Sequence, residues 1–168
     1  VAPAMVYLRR LRDESRETAN LGILEDGQLV TLAQVESREI TRAISPPGGR
    51  VAATCSAMGK ALLATWSDEQ IAQFCKRNGF RKLTPKSHRN LASLMTDIRT
   101  IRRRGFAIDD EEHVAGLRCV AAVVASAEGE AICALSVSGL ANRLTAARAG
   151  EVAARVASAA REFAEKIC

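Results

Sequence analysis

A tight turn is the feature that most restricts this chain. Asp26-Gly27 separates two runs of β-forming residues, Ala19 to Glu25 and Gln28 to Glu36. An Asp-Gly pair suits a two-residue hairpin, because both central positions must tolerate positive φ. A second reverse turn falls near Glu128-Gly129, between Arg118 to Ala125 and Ala131 to Ser138. Loops this short join antiparallel neighbours, whereas a parallel crossover needs about a dozen residues or more. Strands come first, helices follow and strands return, which predicts an α+β domain built on an antiparallel sheet.

The remaining punctuation places the helices. Met5 to Thr18 carries Val6, Leu8 and Leu11 near one helical face. A third β-leaning run, Ile40 to Ile44, stops at Pro46-Pro47-Gly48-Gly49, which reads as a loop. Thr54 to Ala64 opens on capping hydroxyls and continues into helix formers. Ser67-Asp68-Glu69-Gln70 has the spacing of a capping box and opens a helix to Arg77, with Asn78-Gly79 ending it. From Asn90 to Arg104, Leu91, Leu94, Met95, Ile98 and Ile101 share one side, and Gly105 closes the last turn. Phe106 to Asp109 alternates as a short strand would, and Thr145 to Ile167 is an Ala-rich terminal helix.

Composition removes several classes of function. The chain has 168 residues, 48% of them hydrophobic, which is enough for one domain with a sizeable core. Its longest apolar stretches, such as Ala61 to Ala64 and Val120 to Ala125, fall far short of the roughly 20 residues a bilayer span requires. Arg9, Arg10 and Arg12 interrupt any secretory apolar segment near Val1. The formal charge of +5 is small for the length, and six aromatic residues offer few stacking platforms, so basicity alone does not assign nucleic-acid binding. Five cysteines at 55, 75, 119, 133 and 168 form an odd set without a CxxC motif, which points to a reducing cytoplasm. His88 and His113 have no Cys or His three or four residues away, so no local metal clip is expected.

Two charged runs invite chemistry. Arg102-Arg103-Arg104 closes a helix, where cations interact favourably with the negative end of its dipole. Asp109-Asp110-Glu111-Glu112-His113 holds the ingredients of acid–base work, but adjacent acids in a solvated loop are commoner and nothing else in the chain completes a catalytic set. Cys119 follows Arg118, yet strand alternation turns the two side chains to opposite faces, and no glycine-elbow or Ser/His/Asp order is present. No catalytic residue is assigned.

Strand parity is more informative. Ser136 and Ser138 share one sheet face, and Cys119, Ala121 and Val123 share a face of the adjacent hairpin arm. If these faces coincide they form a small, weakly polar wall suited to a compact polar ligand. A helix N-terminus within Thr54 to Lys60 supplies unpaired amide donors that could take a carboxylate. The plainer alternatives are a polar outer face and an ordinary capped helix.

Three segments carry a resemblance to a known family: Arg103 to His113, Gly116 to Ala122 and Ala134 to Gly139. With Ala57-Met58-Gly59-Lys60-Ala61 and Asn142-Arg143-Leu144-Thr145, they resemble the C-terminal effector-binding domain of the IclR family of bacterial transcription regulators. The resemblance implies a GAF-like fold, a curved antiparallel sheet with helices on both sides and a pocket on one face. It implies that residues 1–168 are a ligand-sensing and oligomerisation domain, and that the winged helix-turn-helix of such regulators is absent from this chain. DNA would then be met only through that missing part. The implied partners are a small carboxylate effector and other copies of the chain, as dimer or tetramer, without membrane; no cofactor is expected, and the sequence is silent on metal ions. The implied pocket residues are Asp109, Cys119, Ser136 and Ser138, with the backbone at Ala57 and Met58. In that picture the Met58 and Gly59 amides hold the carboxylate. Ala57-Met58 replaces the Gly-Ala pair of the glyoxylate-responsive type, which leaves the effector open. The alternative is a domain that mainly associates subunits around a vestigial pocket.

Overall fold

The computed structural model describes residues 1–37 and 48–167. Asp26 and Gly27 both take positive φ, 50° and 77°. The turn they make folds β1 (Thr18–Glu25) back on β2 (Gln28–Val35). The late hairpin pairs β5 (Leu117–Ala125) with β6 (Ala131–Leu140), and its turn is closed by the Gly129 amide donating to the Ser126 carbonyl at 2.9 Å. Pairing of β1 with β6 joins the two hairpins across more than a hundred residues of sequence. With β3 (Arg50–Ala52) on one edge and β4 (Ala107–Asp110) on the other, the order is β3-β2-β1-β6-β5-β4, antiparallel throughout. The expected antiparallel α+β domain is therefore observed.

Helices cover both faces of the sheet. On one face lie α1 (Met5–Ser15) and α5 (Ala146–Ile167), which bury Leu8, Leu11, Val156 and Phe163 against Leu21, Val120, Leu135 and Val137. The other face carries α2 (Ala57–Leu63), backed by α3 (Asp68–Asn78) and α4 (Leu91–Arg104), with Met58, Leu62, Ile71, Leu94 and Ile98 packed over Ala107, Ala121 and Ala134. Alanines under α2 let a helix approach the sheet closely where larger side chains would hold it off.

Several boundaries differ from the sequence reading, each for a local reason. The first helix stops at Ser15 because Arg16 turns left-handed (φ 65°), which frees Thr18 to begin β1. The helix expected from Thr54 starts at Ala57, since Ala53–Cys55 form a 3-10 turn and Ser56 is the N-cap. The edge strand β3 was not legible in a run of three residues after a Pro/Gly loop. The run Ile40 to Ile44 lies outside the described residues. The capping box at Ser67 and Gln70 forms as expected, as do the Asn90 cap and the Gly105 terminus at φ 86°. None of the described helices is long and apolar enough to cross a membrane.

Candidate functional site

Register fixes the first wall of the site. Cys119 lies opposite Ser138 and Ala121 opposite Ser136 across β5 and β6, so the faces anticipated from parity do coincide. Thr18 and Asn20 of β1 stand opposite Ser138 and Ser136 on the other side. Asn20 is 5% exposed, and its Nδ2 donates to both serine hydroxyls at 3.0 Å. Its Oδ1 accepts from Gln34 Nε2 at 2.8 Å, and the Cys119 thiol donates to Ser138 Oγ at 3.2 Å. Asn20 escaped the sequence reading because nothing local ties β1 to β6. An Asn inside a β-forming run is the one signal that could have marked it.

The second wall is the start of α2. Ser56 caps the helix by accepting from the Gly59 amide at 3.1 Å, so that amide is already engaged. Gly59, whose amide was expected to hold a carboxylate, is not among the described residues that line the cavity. A glycine is needed there for another reason: a Cβ would collide with the Ala53 backbone, so Gly59 seats α2 against the preceding turn. Ala57 and Met58 do line the cavity. The Met58 methyl lies against Gly22 of β1, at 3.0 Å from where a Cβ on that residue would sit.

Between the walls is a cavity of about 60 Å³, lined also by Cys55, Asp109 and His113. That is room for a few non-hydrogen atoms and far below the ~300–1,000 Å³ of sites for drug-sized molecules. Among the described residues, no Lys or Arg lines it. Asp109 is 2% exposed, with Oδ1 accepting from the Glu112 amide at 2.7 Å. Burial and then the neighbouring Glu112 charge push its carboxyl up to about 7, so near neutrality the protonated form is well populated. Burial also raises Cys119 far above an ordinary thiol, leaving it a weak hydrogen-bonding group and no nucleophile. Arg118 points away, to Asp110 Oδ1 at 2.8 Å and to the Leu144 carbonyl.

The acidic run is divided rather than gathered in solvent. Asp109 faces the cavity, Asp110 pairs with Arg118, Glu111 pairs with Lys86, and Glu112 turns inward. Glu112 meets Lys60, whose side chain is fully buried and whose Nζ also reaches Asp97 Oδ2 at 2.6 Å and the Ile108 carbonyl at 2.6 Å. Burial works against the Lys60 charge, but Glu112 and Asp97 outweigh it and raise its pKa. His88 Nε2 closes the group at 2.9 Å from Asp97 Oδ2. His88, Asp97 and Glu112 come within metal-ligand distance of one another, from three separate segments that local spacing could not connect, but the Lys60 ammonium already bonds both carboxylates. The Arg102 guanidinium binds Asp68 and the Ala64 and Trp66 carbonyls, a clamp between α4 and the turn after α2.

The model of the bacterial transcriptional regulator IclR C-terminal family matches residues 1–168. The chain belongs to that family. The IclR domain is 39% identical over 163 residues to the HTH-type transcriptional regulator BhcR of Paracoccus denitrificans, covering 97% of this chain and 58% of that protein. It is 37% identical over 157 residues to the transcriptional repressor IclR of Escherichia coli, covering 92% and 57%. The chain thus spans little more than half the length of these relatives, which are transcription regulators and not enzymes. Its fold matches the inducer-binding domain of PobR from Acinetobacter with a TM-score of 0.88 at 22% identity, covering 98% of this chain and 97% of that one. The PobR structure is a complex with 3-hydroxybenzoic acid.

Proposed function

We propose that residues 1–168 are the effector-sensing and self-associating domain of a transcription regulator, and that the cavity takes a small carboxylate metabolite. The observation that carries this reading is the meeting of Ser136, Ser138 and the first turn of α2 around one small cavity whose lining, among the described residues, holds neither Lys nor Arg. Such a site must hold an anion by neutral donors. The two hydroxyls and the first amides of α2, at Ala57 and Met58, are such donors, since the opening amides of a helix lack partners within it. Protonated Asp109 and the Cys119 thiol face the other end of the molecule. PobR's ligand is likewise an organic acid, but the volume here favours a two- or three-carbon acid over an aromatic one.

Occupancy would act on DNA through a segment outside this chain, by favouring one arrangement of a dimer or tetramer over another. An effector shifts such an equilibrium only by its differential affinity for the two states. Calorimetric titration with glyoxylate, pyruvate and 3-hydroxybenzoate tests the reading, with the Ser136→Ala/Ser138→Ala protein alongside. Binding of a two- or three-carbon acid that weakens in the double variant supports it. No heat and no thermal shift from any acid would instead favour a domain that only associates subunits.

A further inference from the structure

The two pocket serines are not equivalent to free hydroxyls, because both acceptor sites of Ser138 and one of Ser136 are already committed. A hydroxyl has one proton to donate and two lone pairs to accept with. Ser138 Oγ accepts from Asn20 Nδ2 at 3.0 Å and from the Cys119 thiol at 3.2 Å, which uses both lone pairs. Ser136 Oγ accepts from the second Asn20 N–H at 3.0 Å. The Asn20 amide is held in this orientation by Gln34 Nε2, which donates to its oxygen at 2.8 Å. What remains to Ser138 is its proton, and to Ser136 its proton and one lone pair, and both serines line the cavity.

We propose that Asn20 is a positioning residue that sets the polarity of the ligand wall: by donating to both Ser136 and Ser138 it frees their hydroxyl protons for the cavity, which then favours oxygen acceptors such as carboxylate or oxo groups over ligands presenting N–H donors. The inference rests on the reading of the cavity as an organic-acid site and adds the residue that enforces it. Asn20 acts through the serines, because both of its N–H groups are spent on them and its oxygen on Gln34. Reversing the amide would hand the serine protons to Asn20 and turn lone pairs toward the cavity, the polarity that suits an ammonium group.

Two experiments separate the failure of this inference from that of the carboxylate reading. Neutron diffraction of the deuterated, ligand-free chain locates the protons directly. Deuterons of the Asn20 amide on the two serine oxygens, with the hydroxyl deuterons directed into the cavity, are expected. Hydroxyl deuterons pointing at Asn20 overturn the inference whether or not any acid binds. Pyruvate titration of Asn20→Ala and Asn20→Asp then reads the consequence. A loss of about tenfold for Asn20→Ala and more for Asn20→Asp is expected, in line with the loss of an oriented hydrogen bond to an anion. In the Ser136→Ala/Ser138→Ala background the Asn20→Ala effect should shrink to less than about twofold, as coupled partners require. An undiminished loss in that background, with the thermal midpoint unchanged, means Asn20 does not work through the serines and sinks the proposal. If the wild-type chain takes up no pyruvate while the neutron map stands, the carboxylate reading has failed and the hydroxyl polarity has not.

Discussion

Two buried polar groups share the α2 face of the sheet and differ in what their atoms have left to give. Around Lys60 the groups are charged and mutually satisfied: the ammonium reaches Asp97, Glu112 and the Ile108 carbonyl, and His88 completes Asp97. Around Ser136 and Ser138 the groups are neutral, and their bonds to Asn20 and Cys119 leave donor protons unspent. An ionic network that pairs its own charges holds a fold together and has little to offer a ligand. A lattice of neutral donors with spare protons beside a cavity has the opposite character. One bond joins them, from the Glu112 amide to Asp109 Oδ1 at 2.7 Å, so the network that fixes Glu112 also fixes the carboxyl facing the cavity.

Removing the cation should break the first region hardest. Lys60→Met keeps the volume of the chain but leaves Asp97 and Glu112 facing each other without their partner. A loss of about 3–5 kcal/mol is expected, the cost of stranding buried charge, measured by urea denaturation at neutral pH. A loss below about 1 kcal/mol would mean the cluster is no network. In the second region, Ser136→Ala/Ser138→Ala should weaken the binding of a small acid about 10- to 100-fold. Its stability should fall by less than that of Lys60→Met, about 1–3 kcal/mol, because the Asn20 N–H groups lose their acceptors. If the serine variant is the less stable of the two, the assignment of structural and ligand-facing roles is inverted.

Much of this contrast was readable from the residues alone, and the unreadable part has a physical reason. Hairpin turns, caps and strand parity are local, so the sheet, the serine face and Cys119 could be placed without long-range information. The Lys60 network joins α2, α4, the loop at His88 and the turn after β4, and no spacing rule links such segments. Thr31 and Gln34 were hidden for a further reason. A bulge in β2, where Leu21 pairs with Ala33 but Gly22 with Thr31, shifts parity so that Thr31 and Gln34 both turn to the cavity side. The division of Asp109 to His113 was also beyond sequence, since Glu111 takes a left-handed φ of 59° that sends its neighbours to different sides.

Acid titration sharpens the comparison further. Burial alone would raise the Asp97 carboxyl, but the His88 hydrogen bond and the Lys60 charge outweigh it and hold it down to about 2. A carboxylate held below its unfolded value of about 4 stabilises the fold above that value and loses its contribution as pH falls towards 2, here about 2 kcal/mol. Denaturation curves at pH 5 and pH 2.5 should therefore converge in an Asp97→Asn protein and diverge in the wild type.

Asp109 titrates in the opposite sense, and its effect is the most specific to the ligand. Its folded value is raised to about 7, so the folded chain keeps a proton that the unfolded chain has released. The resulting cost to stability begins as pH rises above the unfolded value and is complete above about 7. Asp109→Asn should then raise the thermal midpoint more at pH 8 than at pH 5. Binding follows the same proton: an ionised Asp109 in the cavity repels an anion, whereas the acid form can donate to it. Affinity for pyruvate should fall by up to about tenfold for each pH unit above 7, the limit for uptake of one proton, and Asp109→Asn should flatten the profile. A wild-type profile level from pH 6 to 9 would show that the carboxyl at the far end of the cavity plays no part in holding the anion.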